Sequence, residues 1–564
     1  MNQKQKLDMP VLIVGAGPVG LTMACELRRY GIDCRIIDKN ASVVHESRAL
    51  GLMARSLEVL SDMGIVDTVL EQGKILHGVN AYADGHRIAH LEIQLDSMDT
   101  PYPYLLVLPQ YKTEALLTEL LSQRGGQVER QTELVAFTQN KEGVTATLRH
   151  AQGEEQVRSQ WLIGCDGASS LVRHGLKLPF EGSDYEETFL LADVQIDWDL
   201  PADQLHIFLT PEGTVVAFPY PTAGRWRIVN THGEGQSTEP EQVVQHFQEK
   251  LHANGAAGAA VSAPTWVSAF HFHRRMVPHL RRGRCFLAGD AAHIHSPANG
   301  QGLNTGIQDA YKLAWKLSLV IAGAAHESLL DSYEAERLPV ARAVLNGSSD
   351  LTTKAVTLRN PVAKRIRNQL LSFLFNQDFI QRQASQGVSE LGLNYRHSPI
   401  VMETRQPLPQ FQLLPHPAFA ASPLDYLDFG AAPRPGDRAP DVMLNAAATN
   451  HLFDVLQGTQ HTLLLFTGTH LHQADVSQFE TIKTCIQADY APWIQPYLVV
   501  ATAESVEQTV WNNALLLDPA WALHHRYGAG SACLYLIRPD GYIGYRSQPI
   551  SSDNLFAYLK QVFR

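Results

Sequence analysis

Cysteine is scarce: six residues in a chain of 564, at Cys25, Cys34, Cys165, Cys285, Cys485 and Cys533, with no CxxC pair. Most of them sit in apolar runs, so buried free thiols in a reducing cytoplasm are the expectation. Positive charge is in deficit as well. The formal net charge is -11 and the isoelectric point is near 6.1, which argues against nucleic acid or an anionic membrane as the main partner. No uncharged apolar run approaches the length of a membrane span; the nearest, Leu313 to Ile321, contains Lys316. The opening residues are polar and break at Pro10, so no secretory signal is expected and a cytoplasmic location is. The His-x-His pairs His271/His273 and His293/His295 have no cysteine or carboxylate companions at ligand spacing, so no metal is expected. What is present is a globular composition, 45% apolar and 18% charged, long enough for roughly two to four domains.

Near the start, Val11 to Val14 is a short apolar run followed at once by Gly15-Ala-Gly17-Pro-Val-Gly20, then Leu21, Ala24, Cys25 and Leu27 at helical spacing. A second apolar run, Cys34 to Ile37, ends in Asp38, 18 residues after Gly20. Gly15 permits a tight turn, Gly17 lets a pyrophosphate approach the backbone, and Gly20 lets helix and strand pack closely. Pro18 and Val19 open the helix, whose positive end faces the phosphates, and Asp38 can accept hydrogen bonds from a ribose. This context predicts dinucleotide binding.

The other strand, acid and glycine-loop element lies about 250 residues later. Cys285 to Ala288 leads into Gly289-Asp290, a loop with Pro297, Gly300 and Gly302, and an amphipathic helix carrying Leu303, Ile307, Ala310, Ala314, Leu317 and Ile321, with Gly323 as its stop. An ADP-binding half at the N-terminus and a remote Gly-Asp element for a ribityl chain is a flavoprotein pattern rather than that of a nicotinamide dehydrogenase.

Three fingerprints then carry a resemblance: the glycine motif Gly15 to Gly20, Cys165-Asp166-Gly167-Ala-Ser-Ser-Leu-Val-Arg173, and Gly289-Asp290-Ala-Ala-His293. With Ser47-Arg48-Ala49 and Leu108-Pro109-Gln110 in support, the stretch from Val11 to about Arg342 resembles the single-component FAD-dependent aromatic hydroxylases of the para-hydroxybenzoate hydroxylase and phenol hydroxylase type. The resemblance implies that Asp38 binds the ribose with Lys39 beside it. Arg48 and Gln110 would line the pyrophosphate and flavin side, Asp166 would be linked to both FAD and NAD(P)H, and Gly289 and Asp290 would meet the ribityl region. Pro297, Gly300, Gly302, Leu303 and Asn304 would run along the flavin ring. Val135 is a candidate edge for the adenine. Lys39 stands where an arginine is frequent in relatives.

Between these motifs, from Phe180 to about Phe272, short alternating strands predict an antiparallel sheet. The resemblance makes it a substrate domain, with Gly78 to Pro103 belonging to it. His206, Phe208, Phe218 and Tyr220 are candidate pocket residues, although a core role for Phe208 and Phe218 fits equally, since alternation does not say which face meets a ligand. Arg48, His206, Tyr220 and Pro297 are the candidate catalytic residues, and neither His206 nor Tyr220 can be assigned as a general base.

The expected architecture is therefore α/β. An FAD-binding monooxygenase region covers 1–400, its Rossmann-like FAD domain (about 8–77, 104–180 and 270–400) interleaved with an antiparallel-sheet substrate domain (about 78–103 and 181–269). Residues 401–440 read as a linker, with eight of the 30 prolines between Pro407 and Pro440. Residues 441–564 carry strands separated by helical stretches, and the Arg538-Pro-Asp-Gly541 hairpin resembles that of the thioredoxin-like C-terminal domain of phenol-hydroxylase-type enzymes. Without a CxxC its expected role is structural, as a homodimer contact. The implied activity is hydroxylation of a phenol-like or polycyclic aromatic substrate, with non-covalent FAD, NADPH or NADH and O2, through a flavin hydroperoxide. Baeyer–Villiger insertion, electron transfer without oxygen insertion, and a non-catalytic FAD scaffold stay open; the WxWxIP motif of halogenases is absent.

Overall fold

The structure is a computed structural model that describes residues 7–43, 49–93, 98–210, 213–233, 237–294, 300–346, 389–405, 423–445, 450–469, 473–501, 511 and 514–564. It divides into two compact units. The first takes Met1–Met98, Tyr102–Ala314 and Arg337–Gly392; the second takes Asp99–Pro101, Trp315–Glu336 and Leu393–Arg564.

In the first unit, Met9–Val14 runs parallel to Cys34–Ile37 on one side and to Gly153–Gly164 on the other, with Cys285–Leu287 parallel beyond the latter. Val11, Leu12, Ile13, Leu162 and Ile163 are fully buried, the signature of a parallel sheet covered on both faces. Each such side chain contributes about 1.5–3 kcal/mol by leaving water. An antiparallel wing, Glu133–Gln139 and Val144–His150, joins the far end of Gly153–Gly164. The helix Pro18–Arg29 follows the first strand with Pro18 in its first turn, where a missing N–H does no harm.

The second sheet of this unit is antiparallel apart from one pair, in the order His293–Ile294, Ala260–Met276, Glu181–Asp197, Arg225–Asn230, Gly213–Pro219, Gln204–Thr210, Gly78–Ala83, His86–Glu92. Its two faces follow from alternation. Leu190, Ala192, Val194, Phe208, Val215, Ala217, Trp226 and Ile228 share one face and bury the apolar side of helix Pro240–Ala253 through Val243, Phe247 and Leu251. Phe189, Leu191 and Phe270, with Val229 and Trp266 against them, form a separate cluster.

The second unit is built on a six-stranded sheet ordered Met402–Arg405, Ile543–Gln548, Cys533–Ile537, His461–Phe466, Ile494–Val500, Leu515–Leu517. Where proline density predicts an extended linker, Met402–Arg405 is instead an edge strand paired in parallel with Ile543–Gln548, and Pro423–Ala431 is a helix with its proline at the start. Prolines at an element's first position or between elements do not oppose regular structure. Residues 406–422, where several of those prolines lie, are outside the described residues. The Arg538 hairpin is present, and Arg538 is buried between Glu336 and Asp540, while Glu336 also holds Lys316 at 2.8 Å. Among the described residues no helix is long and apolar enough to cross a membrane.

Candidate functional site: a split dinucleotide cleft

Three loops meet at the carboxyl ends of the parallel strands, the place where open α/β sheets take ligands. Gly15 has φ +99°, and a Cβ there would lie 2.4 Å from the Cys165 carbonyl oxygen, so the first loop rests directly on the Cys165–Gly167 turn. At Gly20 a Cβ would stand 1.9 Å from the carbonyl oxygen of Gly15, which is why helix and strand can close up only on glycine. Val19 packs against the third loop: Cβ atoms added to Gly289 or Gly306 would lie 2.8 and 2.6 Å from its Cγ2.

The cleft suits a dinucleotide on two counts. A Cβ on Gly17 would meet nothing within 4 Å, so the backbone is open in front of the helix. That helix has no side-chain cap, leaving its first-turn N–H groups and positive end for an anion. Asp38 stands at the end of its strand; one carboxylate oxygen accepts the Ala16 N–H at 2.8 Å and the other accepts the Asn40 N–H at 2.8 Å. Lys39 is exposed, and Val135 lies at an irregularity in the antiparallel wing. Gln110 begins the helix Gln110–Gln123, and its side-chain amide donates to Glu114 at 2.8 Å.

Asp166 is held by its own turn, accepting from Ser170 Oγ at 2.5 Å and the Val172 N–H at 3.1 Å. Burial pushes its carboxyl up against those bonds. Arg173, buried and stacked 3.9 Å from the Phe180 ring, donates to the carbonyls of Ala168 and Ala291, fastening the second loop to the third. In the third loop Gly289 takes φ +61°, while Asp290 is exposed.

Sequence reasoning missed the group that locks this loop. Asp309, fully buried on the long helix Gln301–Ile321, accepts from the Gly289 N–H, from His293 Nε2 at 2.7 Å and from Arg337 Nε at 2.6 Å. Burial alone would raise its carboxyl, but Arg337 and His293 together hold it down to about 2. At the start of that helix Gly300 has φ +65° and the Asn304 side chain is fully buried. Asn304 does not offer its amide to a ligand: it accepts from the Met53 N–H at 2.9 Å and donates to the carbonyls of Gly51 and Gly300. The first-turn backbone of Gly302 and Leu303 remains the part of this segment that could meet an anionic ring. Arg48 and Pro297 lie outside the described residues.

On the second sheet, His206 lies in the helix-covered core, among Trp198, Trp226 and Tyr82. Its Nε2–H donates to the Pro201 carbonyl at 2.9 Å, which leaves Nδ1 to accept from Tyr82 or Asn80. Burial lowers its pKa, so the ring is neutral and spent on the fold. Phe208 shares that core, whereas Phe218 and Tyr220 emerge on the opposite side and pack against Leu50, Leu76 and Val107. There Tyr220 donates to Asp193 at 2.7 Å and accepts from Arg227 at 2.8 Å, and Arg227 grips Asp193 bidentately at 2.7 and 2.9 Å. Neither Asp193 nor Arg227 was singled out from the sequence; an arginine and an aspartate on alternating strands carry no local signal of facing each other.

The chain belongs to the FAD binding domain family, which it matches over residues 8–348. It falls among the flavoprotein monooxygenases of the aromatic hydroxylase type. It is 36% identical over 554 residues to 6-methylpretetramide 4-monooxygenase of Streptomyces rimosus, covering 98% of this chain and 93% of that one. Pentachlorophenol 4-monooxygenase of Sphingobium chlorophenolicum is 32% identical over 550 residues, 96% of this chain and 94% of the relative. Among solved structures, the anhydrotetracycline hydroxylase of Streptomyces rimosus matches with a TM-score of 0.69 at 28% identity, over 98% of this chain and 99% of the other.

Proposed function

We propose that this protein is an FAD-dependent monooxygenase that uses NADPH or NADH and O2 to hydroxylate a phenolic or polycyclic aromatic ring. The observation that carries the reading is the junction at Asn304. It ties the start of the long helix to Gly51 and Met53, and the neighbouring Leu50 packs on the sheet face that bears Phe218 and Tyr220. A ring lying along Gly300 to Asn304 would thus have an aromatic-rich sheet face beside it. Bound FAD would supply the redox chemistry and the activation of O2; the protein supplies binding, orientation and exclusion of water.

The residues divide as follows. Gly15, Gly17, Pro18, Val19 and Gly20 would bind the pyrophosphate, Asp38 with Lys39 the ribose, Val135 the edge of the adenine, and Gln110 would line the pyrophosphate and flavin side. Asp166, Gly289 and Asp290 would border the ribityl chain; Arg48 and Pro297 keep their roles on resemblance. Burial, opposed by Arg227 and reinforced by Asp193, pushes the Tyr220 hydroxyl far up, so it stays protonated and, with its proton on Asp193 and its oxygen facing Arg227, positions that pair rather than acting as a base. The Arg227 guanidinium beside it favours a substrate oxygen in its anionic form, which activates a phenol ring toward an electrophilic oxygen. The sheet spanning 181–269 would serve as the substrate domain. The C-terminal sheet, with parallel and antiparallel strands mixed about His461–Phe466, supports a thioredoxin-like domain without redox function, and a homodimer contact is its proposed role.

Incubation with NADPH or NADH, a panel of phenols and 18O2 tests the activity. A product heavier by one labelled oxygen is expected. Cofactor oxidation that yields only hydrogen peroxide, with no labelled product from any phenol, would favour plain electron transfer. Tyr220→Phe is expected to raise KM about tenfold, the scale of the one hydrogen bond to a charged group by which the hydroxyl positions Asp193 and Arg227, with FAD content unchanged. Identical KM and kcat in the variant would remove Tyr220 from the substrate site.

A further inference from the structure

The C-terminal unit contains a cavity of about 410 Å³ that the flavin chemistry does not use, lined by Arg396, Arg434, Arg438 and Arg526 together with Asp99 and Asp437. Four guanidinium groups thus face two carboxylates, in a chain whose net charge is -11. The pairing leaves positive charge over. Arg396 grips Asp437 bidentately at 2.7 and 2.9 Å. Asp99 is shared between Arg438 and Arg526. Arg434 has no carboxylate partner among the described residues. Among the side chains lining the cavity, four cations thus meet two carboxylates, a surplus of two positive charges.

The cavity is also firmly built. Arg434 and Asp437 belong to one turn, in which the Asp437 N–H donates to the Arg434 carbonyl and the Arg434 N–H donates to Asp437. Gly436 makes that turn with φ +89°, and a Cβ there would lie 2.4 Å from the Arg396 backbone, so the turn is seated directly on the segment carrying Arg396. The Gly436 N–H donates to Ile543 and the Ile543 N–H donates back to Asp437, stitching the turn to the sheet. Arg438 is nearly inaccessible and lies 5.5 Å over the Phe453 ring. The Arg438 fork, held in place, loses little freedom on pairing with an oxyanion; Arg396, Arg434 and Arg526 stand exposed around it, and the planar geometry of each fits phosphate oxygens two at a time.

We propose that this cavity binds a phosphate ester. A dianion matches the surplus of two positive charges in the lining, and the volume, with alanine and proline completing the wall, exceeds what a lone phosphate fills and falls in the range of small organic ligands. The phosphate can come from the adenosine bisphosphate end of NADPH or from an unrelated phosphorylated molecule. This site is separate from the residues assigned to FAD and stands independently of the monooxygenase reading.

Calorimetry on the FAD-saturated full-length protein at low chloride tests it, with adenosine 2′,5′-bisphosphate, inorganic pyrophosphate and adenosine as titrants. Both anions should bind and adenosine should not. Tighter binding of the bisphosphate assigns the site to the nucleotide; equal binding assigns it to phosphate from another source. Arg434→Gln and Arg526→Gln should each weaken the anions about tenfold, the loss of one charge-assisted contact, while flavin content holds. Arg434→Lys should recover part of that loss. Failure of both anions to bind, equal binding of adenosine, or unchanged affinity in both Arg434→Gln and Arg526→Gln would overturn the proposal.

Discussion

Gly20→Ala should yield a protein without FAD. The added methyl would sit 1.9 Å from the carbonyl oxygen of Gly15, a backbone atom that cannot swing aside, so the helix Pro18–Arg29 must move off the loop it closes. That displacement breaks the alignment of the open helix end with the pyrophosphate, and each 1.4 kcal/mol of lost alignment is about tenfold in affinity. The companion substitution separates binding from folding. At Gly17 an added methyl meets no protein atom within 4 Å, so Gly17→Ala should keep the melting temperature of the wild-type apoprotein while losing FAD to the methyl's intrusion on the phosphate side. Flavin absorbance per protein and thermal melting of both variants check the pair. Full flavin occupancy and unchanged melting in Gly20→Ala would mean that this contact does not hold the cleft.

Asp309→Asn should destabilise the first unit by about 3–5 kcal/mol, the cost of removing one partner from a buried ion pair. Arg337 would be left buried against an amide, and the Gly289 loop would lose the anion that its N–H and His293 both address. The pH dependence carries a sign. The folded carboxyl is held at about 2 against an ordinary value of 3.8, so its contribution is present above about pH 4 and is lost as pH falls toward 2. The variant should be less stable at neutral pH and should lack this loss on the acid side. Urea unfolding across pH 7 to 3 measures both. A midpoint equal to wild type at pH 7 would show that Asp309 is replaceable and that the loop is held otherwise.

The readability of this molecule follows the reach of its signals. The glycine loop could be read because its turn, close approach and helix packing are each decided within a dozen residues of one another. The long helix and its glycine stop were legible for the same reason: periodicity places Leu303 to Ile321 on a helix, and the structure gives Gln301–Ile321 with Gly323 at φ +73°. Asp309 lies within that helix but was invisible, because its meaning comes from His293 and Arg337, which only the folded chain brings to it.

On the antiparallel sheet, alternation separates two faces but cannot rank them. His206 and Tyr220 looked alike as polar residues among aromatics; helix Pro240–Ala253 decides between them by covering the His206 face. Asn304 was expected along the flavin ring, yet its side chain is committed to Gly51, Met53 and Gly300. Met402–Arg405, at the start of the stretch expected to be a linker, is a strand because its pairing is set by Ile543–Gln548, more than a hundred residues away.

The bond from the Ala16 N–H to Asp38 gives this cleft a property beyond recognition. The acid that would receive the ribose also braces the phosphate loop, so one carboxylate would serve both the shape of the loop and recognition. Little chain freedom is left to surrender on association, and the entropy that ordinarily opposes closing a glycine-rich loop was lost at folding instead. Asp38 would thus act as a mould as well as a contact.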